Sequence, residues 1–315
     1  MNNVLIIGGS YFAGRVLVEE LVKEKAYQVF VYNRGHMPLK IQGVVELVGD
    51  RNDHQQVKRA IPAVEWHAVI DFCAYTPEDI TNLLPSLQDR VNHYILISTT
   101  SVYENTWDLP IKEDFPKLSA PQPELGIAAD YGFNKWLTEG EVVTTCGKNG
   151  MPYTILRPAI IYGPYNYAPR ESWFFDLLSR NEPIVIPDNA LALYSFVYVV
   201  DMARIIIRCM GNDIVFNHAF NVSSKEMISY RRIVQVLEEI LGKKIQLMQM
   251  SVDEINLKGI FLPFPPDSHL LYSGTALQKK LGFEYTSFAE GMKNTYRYDE
   301  YVRRHRGKMS EQGGN

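Results

Sequence analysis

No stretch of about 18 consecutive apolar residues occurs, so nothing in this sequence reads as a membrane-spanning helix. The first residues lack a charged segment followed by a signal-type apolar run, and a cytoplasmic location is expected. Cysteine is scarce: Cys73, Cys146 and Cys209 stand far apart, match no zinc spacing and cannot all pair, so reduced thiols are expected, either buried or incidental. The seven histidines show no His-x-x-His or His-Glu pairing, and no metal site is expected. A formal net charge of −4 gives no global attraction for nucleic acid. The conspicuous basic cluster, Arg303-Arg304-His305-Arg306-Gly307-Lys308, precedes a polar tail that reads as frayed. Internal repeats and low-complexity linkers are also missing. What remains is 315 residues with 46% hydrophobic content, enough for the core of one elaborated unit or two domains.

The N-terminus carries the first positive signal. Asn3 to Ile7 is a short apolar run of buried-strand type, Gly8-Gly9-Ser10-Tyr11-Phe12-Ala13-Gly14 follows at once, and Arg15 to Glu24 reads as a helix with Val16, Val18, Leu21 and Val22 on one face. Strand, glycine turn and helix in that order make a phosphate site, because the glycines let backbone approach a pyrophosphate at a helix N-terminus. Gly8, Ser10, Tyr11, Phe12 and Gly14 are therefore candidate cofactor residues. The next strand, Gln28 to Tyr32, ends in Asn33-Arg34-Gly35. An acid at that position hydrogen-bonds the adenosine ribose of NAD, whereas an arginine accommodates the 2′-phosphate of NADP. Here Asn33 and Arg34 stand there, so NADP is the expected cofactor and NAD the alternative.

Strands at Val44 to Val48, Ala68 to Phe72, Tyr94 to Ser98 and Tyr153 to Arg157 alternate with helices near His54 to Ala60, Pro77 to Leu87 and Tyr131 to Thr144. Such a series predicts a parallel α/β sheet covered by helices on both faces. The pattern changes after Tyr162, where prolines and aromatics thicken. A strand-like run from Leu193 to Val200, a helix from Asp201 to Cys209, a strand at Ala219 to Val222 and a helix from Ser229 to Leu241 follow. We divide the chain into a dinucleotide-binding domain over 1–164, to which 193–222 returns, and a smaller interwoven substrate region over 165–315.

Tyr131 and Lys135 sit four residues apart in a helix-favouring run, which stacks a phenol and an ammonium on one helical face. A tyrosine alone titrates near ~10; an adjacent fixed cation favours the phenolate, so the pair points to proton transfer and a lowered Tyr131 pKa is expected.

The motifs occur in register: Gly8-Gly9-x-x-Phe12-x-Gly14, Gly49-Asp50-Arg51, Ile97 through Tyr103, Tyr131-Gly132-x-Asn134-Lys135 with Glu139, Leu156-Arg157-Pro158 to Tyr162-Gly163-Pro164, Phe196 to Asp201, Phe220-Asn221-Val222 and a late Ala276 to Phe283 helix. With them the chain resembles an extended or atypical short-chain dehydrogenase/reductase of the NAD(P)-dependent epimerase/dehydratase superfamily, over nearly its whole length. The resemblance implies a Rossmann-type doubly wound parallel sheet. It places a substrate-orienting hydroxyl on Thr99, proton exchange on Tyr131 and a ribose-holding role on Lys135. Asp50 and Arg51 would flank the adenine, Phe72 and Ala74 line the dinucleotide cleft, and Pro158 and Ile161 approach the nicotinamide.

The run Ile160 to Pro169, continued by Glu171-Ser172-Trp173-Phe174-Phe175, is similar to the branch that includes the chloroplast stem-loop RNA-binding proteins. Two arginines that clamp diphosphate in nucleotide-sugar members are missing: Tyr194-Ser195 and the Pro263 to Asp267 segment stand in their places, with Arg170, Arg180 or Lys258 as substitutes from another direction. Thr100-Ser101 occupies the place of the acid pair of 4,6-dehydratases, which argues against that reaction. The expectation is a NAD(P)-dependent oxidoreductase or epimerase/dehydratase acting by hydride transfer on a hydroxylated, sugar-like small molecule, possibly a nucleotide sugar. The alternative is a non-catalytic NADP-sensing or RNA-binding protein on the same fold. A homodimer through Pro77 to Leu87 and Tyr131 to Val143 is expected.

Overall fold

The computed structural model describes the backbone of residues 1–311 apart from 88, 189 and 190, and side chains as far as His305. The first half alternates β1 (Asn2–Ile7), α1 (Phe12–Glu24), β2 (Tyr27–Asn33), β3 (Val44–Val48), α2 (His54–Ala60), β4 (Ala68–Asp71), α3 (Pro77–Leu87), β5 (Tyr94–Ile97), α4 (Tyr131–Lys148) and β6 (Tyr153–Pro158). After it come β7 (Ile160–Tyr162), α5 (Glu171–Ser179), β8 (Ile184–Pro187), β9 (Tyr194–Tyr198), α6 (Val199–Cys209), β10 (His218–Val222) and β11 (Met227–Ile228). The chain then forms α7 (Tyr230–Leu241), β12 (Leu247–Met250), α8 (Val252–Leu257), α9 (Thr275–Leu281) and α10 (Phe288–Glu311).

Seven parallel strands form the main sheet in the order β10-β6-β5-β4-β1-β2-β3. Alternation along each strand sends successive residues to opposite faces. Val4 and Ile6 of β1 join the core under α1 and α6, while Leu5 and Ile7 join the other core under α2, α3 and α4. Both faces are covered, which is why the strands read as continuous apolar runs. The strand order reverses between β1 and β4, and a crevice opens there beyond the carboxyl ends of the strands.

The segment 193–222 divides in a way the sequence did not suggest. β10 pairs with β6 on the main sheet, and α6 packs on α1. β9, expected to return with them, instead pairs with β7 and β11 in a separate three-stranded sheet. β7 leaves the main sheet directly after Pro158 and offers β9 an edge, with Ile160 opposite Phe196. α1 begins at Phe12 and not at Arg15, because the glycine turn itself supplies the first helical residues. α10 runs to Glu311, and in the basic cluster Arg303 pairs with Asp176 and Asp299, and Arg304 with Glu300. The Arg306 and Lys308 side chains and residues 312–315 of the tail read as frayed lie outside the described residues. No helix among the described residues is long and apolar enough to cross a membrane.

Candidate active site

The crevice begins at the turn between β1 and α1. Gly8 has φ +88°, and a Cβ there would meet Cys73 Sγ at 2.1 Å; a Cβ on Gly14 would meet the Gly8 carbonyl oxygen at 2.7 Å. Only glycine allows so tight a return of the backbone. Tyr11 is the N-cap of α1, yet among the described residues no side chain caps the helix or accepts from its first-turn N–H groups. A tight glycine cradle below uncapped donors fits the pyrophosphate of a dinucleotide. Ser10 is buried, and its hydroxyl accepts a 2.7 Å bond from Asn33 Nδ2, while Asn33 Oδ1 accepts from Gly35 N at 2.7 Å. Asn33 thus ties the end of β2 to the glycine turn, and Arg34 beside it is exposed.

Asp50 and Arg51 have internal partners. The Asp50 carboxylate accepts from Asn52 N at 2.9 Å and closes its own turn. Arg51 forks onto Asp71 at 2.8 and 2.9 Å and donates to the Asp79 carbonyl at 2.8 Å, so its head group is turned inward. Asp71 also accepts from Tyr94 and Cys73 N. Burial alone would raise the Asp71 pKa, but Arg51 and these donors overcome it and hold the carboxyl below its ordinary value. This acid was missed in the sequence; a lone carboxylate closing the apolar run Ala68-Val69-Ile70 was the available signal. Phe72 and Ala74 follow it along the crevice, the first half-buried and the second buried.

Thr99, Tyr131 and Lys135 meet at the end of β5. Thr99 caps the short 3-10 turn Thr100–Val102, accepting from Ser101 N at 3.1 Å, and its hydroxyl favours the ionised form of the Tyr131 phenol. Tyr131 opens α4 and is 41% exposed, so a ligand can reach it. Lys135, one turn on, is 1% exposed, and its ammonium donates to the carbonyls of Ala74 and Ile97, both at 2.7 Å. Tyr75 stands beside both: its ring lies 5.5 Å from the ammonium and 6.5 Å from the Tyr131 ring.

The expected lowering of the Tyr131 pKa is not found. Burial raises it more than Thr99 and Arg170 lower it, and two of the three Lys135 N–H donors go to backbone carbonyls. Four-residue spacing put both side chains on one face, but Lys135 is not among the groups that shift the phenol. Lys135 itself is pushed down to about 8 by burial, against the pull of Asp71 and Glu139.

Beneath the site lies a polar network that the motifs marked without explaining. Ser98 donates to Glu139, Arg157 forks onto Glu139 with Nη2 at 2.6 Å, and Arg157 Nη1 donates to Tyr103, which donates to Asn221 at 2.6 Å. These residues are buried, so each link replaces water that none of them can reach. The network pins α4 against β5, β6 and β10. On the far side Pro158 is buried, with its carbonyl accepting from Thr100 Oγ1, and Ile161 is half-buried on β7.

Residues 4–223 match the model of the NAD dependent epimerase/dehydratase family. The chain belongs to this family. It is 26% identical over 313 residues to the chloroplast stem-loop binding protein of 41 kDa b of Arabidopsis thaliana, covering 94% of this chain and 79% of that protein. Among solved structures it resembles a UDP-glucose 4-epimerase of Thermotoga maritima, with a TM-score of 0.77 and 21% identity over 96% of this chain and 99% of that one. It also resembles a dTDP-glucose 4,6-dehydratase of Bacillus anthracis solved with NAD, with a TM-score of 0.79 and 14% identity over 96% and 98%. For this epimerase/dehydratase family chain, the places lacking arginine are filled structurally. Tyr194 donates its hydroxyl to the Pro265 carbonyl, and Ser195 Oγ accepts from Tyr272 N at 3.1 Å.

Proposed function

We propose that the protein is an NADP-preferring oxidoreductase or epimerase that removes hydride from, and can return it to, a carbinol carbon of a hydroxylated sugar, with a nucleotide sugar as the leading substrate class. The observation that carries this reading is the gathering of Thr99, Tyr131 and Lys135 at the crevice, next to a glycine turn shaped for pyrophosphate. The dinucleotide, when bound, supplies the hydride acceptor. Gly8, Ser10, Tyr11, Phe12 and Gly14 would hold its pyrophosphate, Phe72, Ala74, Pro158 and Ile161 its cleft, and Lys135 its nicotinamide ribose. Thr99 would orient the substrate oxygen while Tyr131 takes its proton as the phenolate, a form that the positive charge of an oxidised nicotinamide beside it would favour. A ketone so formed acidifies the neighbouring carbon, which opens epimerisation; simple reduction uses the reverse of the first step alone.

NADP preference is supported by Arg34, exposed beside Asn33, whose amide is tied to Ser10 and Gly35 where an NAD-preferring site has an acid. Arg34→Asp is expected to shift the ratio of NADP to NAD affinity about tenfold or more toward NAD; an unchanged ratio would refute the assignment. Tyr131→Phe should lower turnover about 10²- to 10⁴-fold while NADP still binds. Turnover near wild type would remove Tyr131 from the chemistry. We extend the reading to a homodimer across the outer faces of α3 and α4, where Leu137 and Val143 are exposed, a state that sedimentation of the intact chain reads directly.

A further inference from the structure

Between Gly163 and α5 the chain forms a strap across the crevice, and it is firmly held. Glu171 is 4% exposed; its carboxylate accepts from Gly163 N at 2.9 Å and from Asn166 Nδ2 at 3.0 Å. Tyr165 donates to Glu19 at 2.8 Å and lies under the Arg15 guanidinium at 4.6 Å. Tyr167 sets its ring edge-on to Phe12 at 6.3 Å, over the glycine turn. The strap therefore starts at the N-terminus of α1 and ends, at Arg170, on the substrate side.

Arg170 is half-buried there, and the bond it makes is from Nη1 to the Ile161 carbonyl at 3.1 Å. Among the described residues no carboxylate lies within ion-pair distance of it. The neighbouring arginines of the crevice are committed otherwise: Arg15 to Glu19, Arg51 to Asp71 and Asp79, Arg157 to Glu139. Of the other two cations considered as substitutes for the missing clamp, Arg180 is 59% exposed and paired with Glu182, and Lys258 is exposed at the end of α8. The bond to Ile161 holds the guanidinium against β7, beside the buried Pro158 end of β6, and its charge favours the ionised forms of both the Glu171 carboxyl and the Tyr131 phenol. A planar fork with most of its donors unspent, fixed at the edge of a reaction site, matches a planar or tetrahedral oxyanion.

We propose that Arg170 is the specificity-determining residue that binds an oxyanion of the sugar substrate, taking over from the strap the recognition that Tyr194 and Ser195 do not provide. The inference rests on the sugar-substrate reading above. The oxyanion belongs to a glycosyl diphosphate, to a carboxylate on the ring or to a phosphate on the ring. Each would lie on the same guanidinium.

The test measures binding of four probes, glucose, glucose 6-phosphate, UDP-glucose and UDP-glucuronate, to the NADP-loaded protein and to Arg170→Gln and Arg170→Lys. Arg170→Gln should weaken at least one anionic probe about 10- to 100-fold and leave glucose unaffected. Arg170→Lys should recover part of the loss, since it restores the charge without the fork. Loss shared by both UDP sugars assigns the diphosphate; loss confined to UDP-glucuronate assigns the ring carboxylate; loss of glucose 6-phosphate assigns the ring phosphate. The proposal is overturned if no anionic probe binds the wild type more tightly than glucose, or if the preference survives in Arg170→Gln. It is also overturned if Arg170→Gln loses NADP affinity or melts at a lower temperature, because the residue would then support the cofactor or the strap. Intact anion preference in a protein that transfers no hydride would leave Arg170 in place and remove the redox reading instead.

Discussion

Lys135 is the residue whose surroundings say most about the site. A lysine in an unfolded chain titrates near ~10.4, and burial brings this one down to about 8. Between those values the unfolded chain holds a proton that the folded chain has released, so this group makes stability rise with pH from about 8 upward; below 8 both states carry the proton and it contributes no slope. Cys73, pushed up by burial to about 11, and Cys146 and Cys209, pushed up to about 12, act in the opposite sense, because an unfolded thiol loses its proton first. The prediction is therefore a difference. In denaturant unfolding across this window, the pH slope of the wild type should exceed that of Lys135→Met by up to about 1.4 kcal/mol per pH unit. Equal slopes would mean that Lys135 is not buried as described. The spacing of Tyr131 and Lys135 was legible in the sequence. The hold on Lys135 was not, because the carbonyls that bind it belong to Ala74 and Ile97, far away in the chain.

Elements follow local chemistry more closely than single side chains do. α7 shows this at both ends: Ser229 caps it by accepting from Arg232 N at 3.2 Å, and Gly242 ends it in the left-handed conformation. Ser229→Ala should cost about 1 kcal/mol of stability in denaturant unfolding and leave dinucleotide affinity unchanged, since α7 lies away from the crevice; an unchanged stability would show that the cap is dispensable. Ser229 was readable as the start of this helix, and α2, α3 and β3 fell where periodicity put them. β9 shows where such reading stops. Its residues Tyr194–Tyr198 are all buried, so the alternation that would reveal which sheet they join is missing. Membership was decided by the free edge of β7, a tertiary fact. The turn at Asp50 and the inward fork of Arg51 are similar cases: the motif marked the positions, while the partners Asp71 and Asp79 came from β4 and α3.

At the scale of the whole molecule, the seven-stranded sheet brings to one crevice groups drawn from β1, β2, β4, β5, α4 and β6, and the family match follows the same order of motifs. The sheet and its glycine turn could be read from the chain because local patterns dictate them. The strap was not readable: its hold on α1 through Tyr165 and Tyr167 depends on packing between segments about 150 residues apart. The central claim is that a sugar held in this crevice gives up hydride to the dinucleotide while Tyr131 moves the hydroxyl proton. The most direct measurement loads the protein with NADP and mixes it in a single turnover with UDP-glucose, UDP-glucuronate or glucose 6-phosphate carrying deuterium on the ring carbinol carbons, then weighs the recovered nicotinamide and identifies the recovered sugar. The account predicts, from at least one of these sugars with the wild type, either deuterium on the nicotinamide or, where the hydride is returned, an epimerised sugar, and essentially neither with Tyr131→Phe. Unlabelled nicotinamide and unchanged sugar in every case, or equal conversion by Tyr131→Phe, would contradict it.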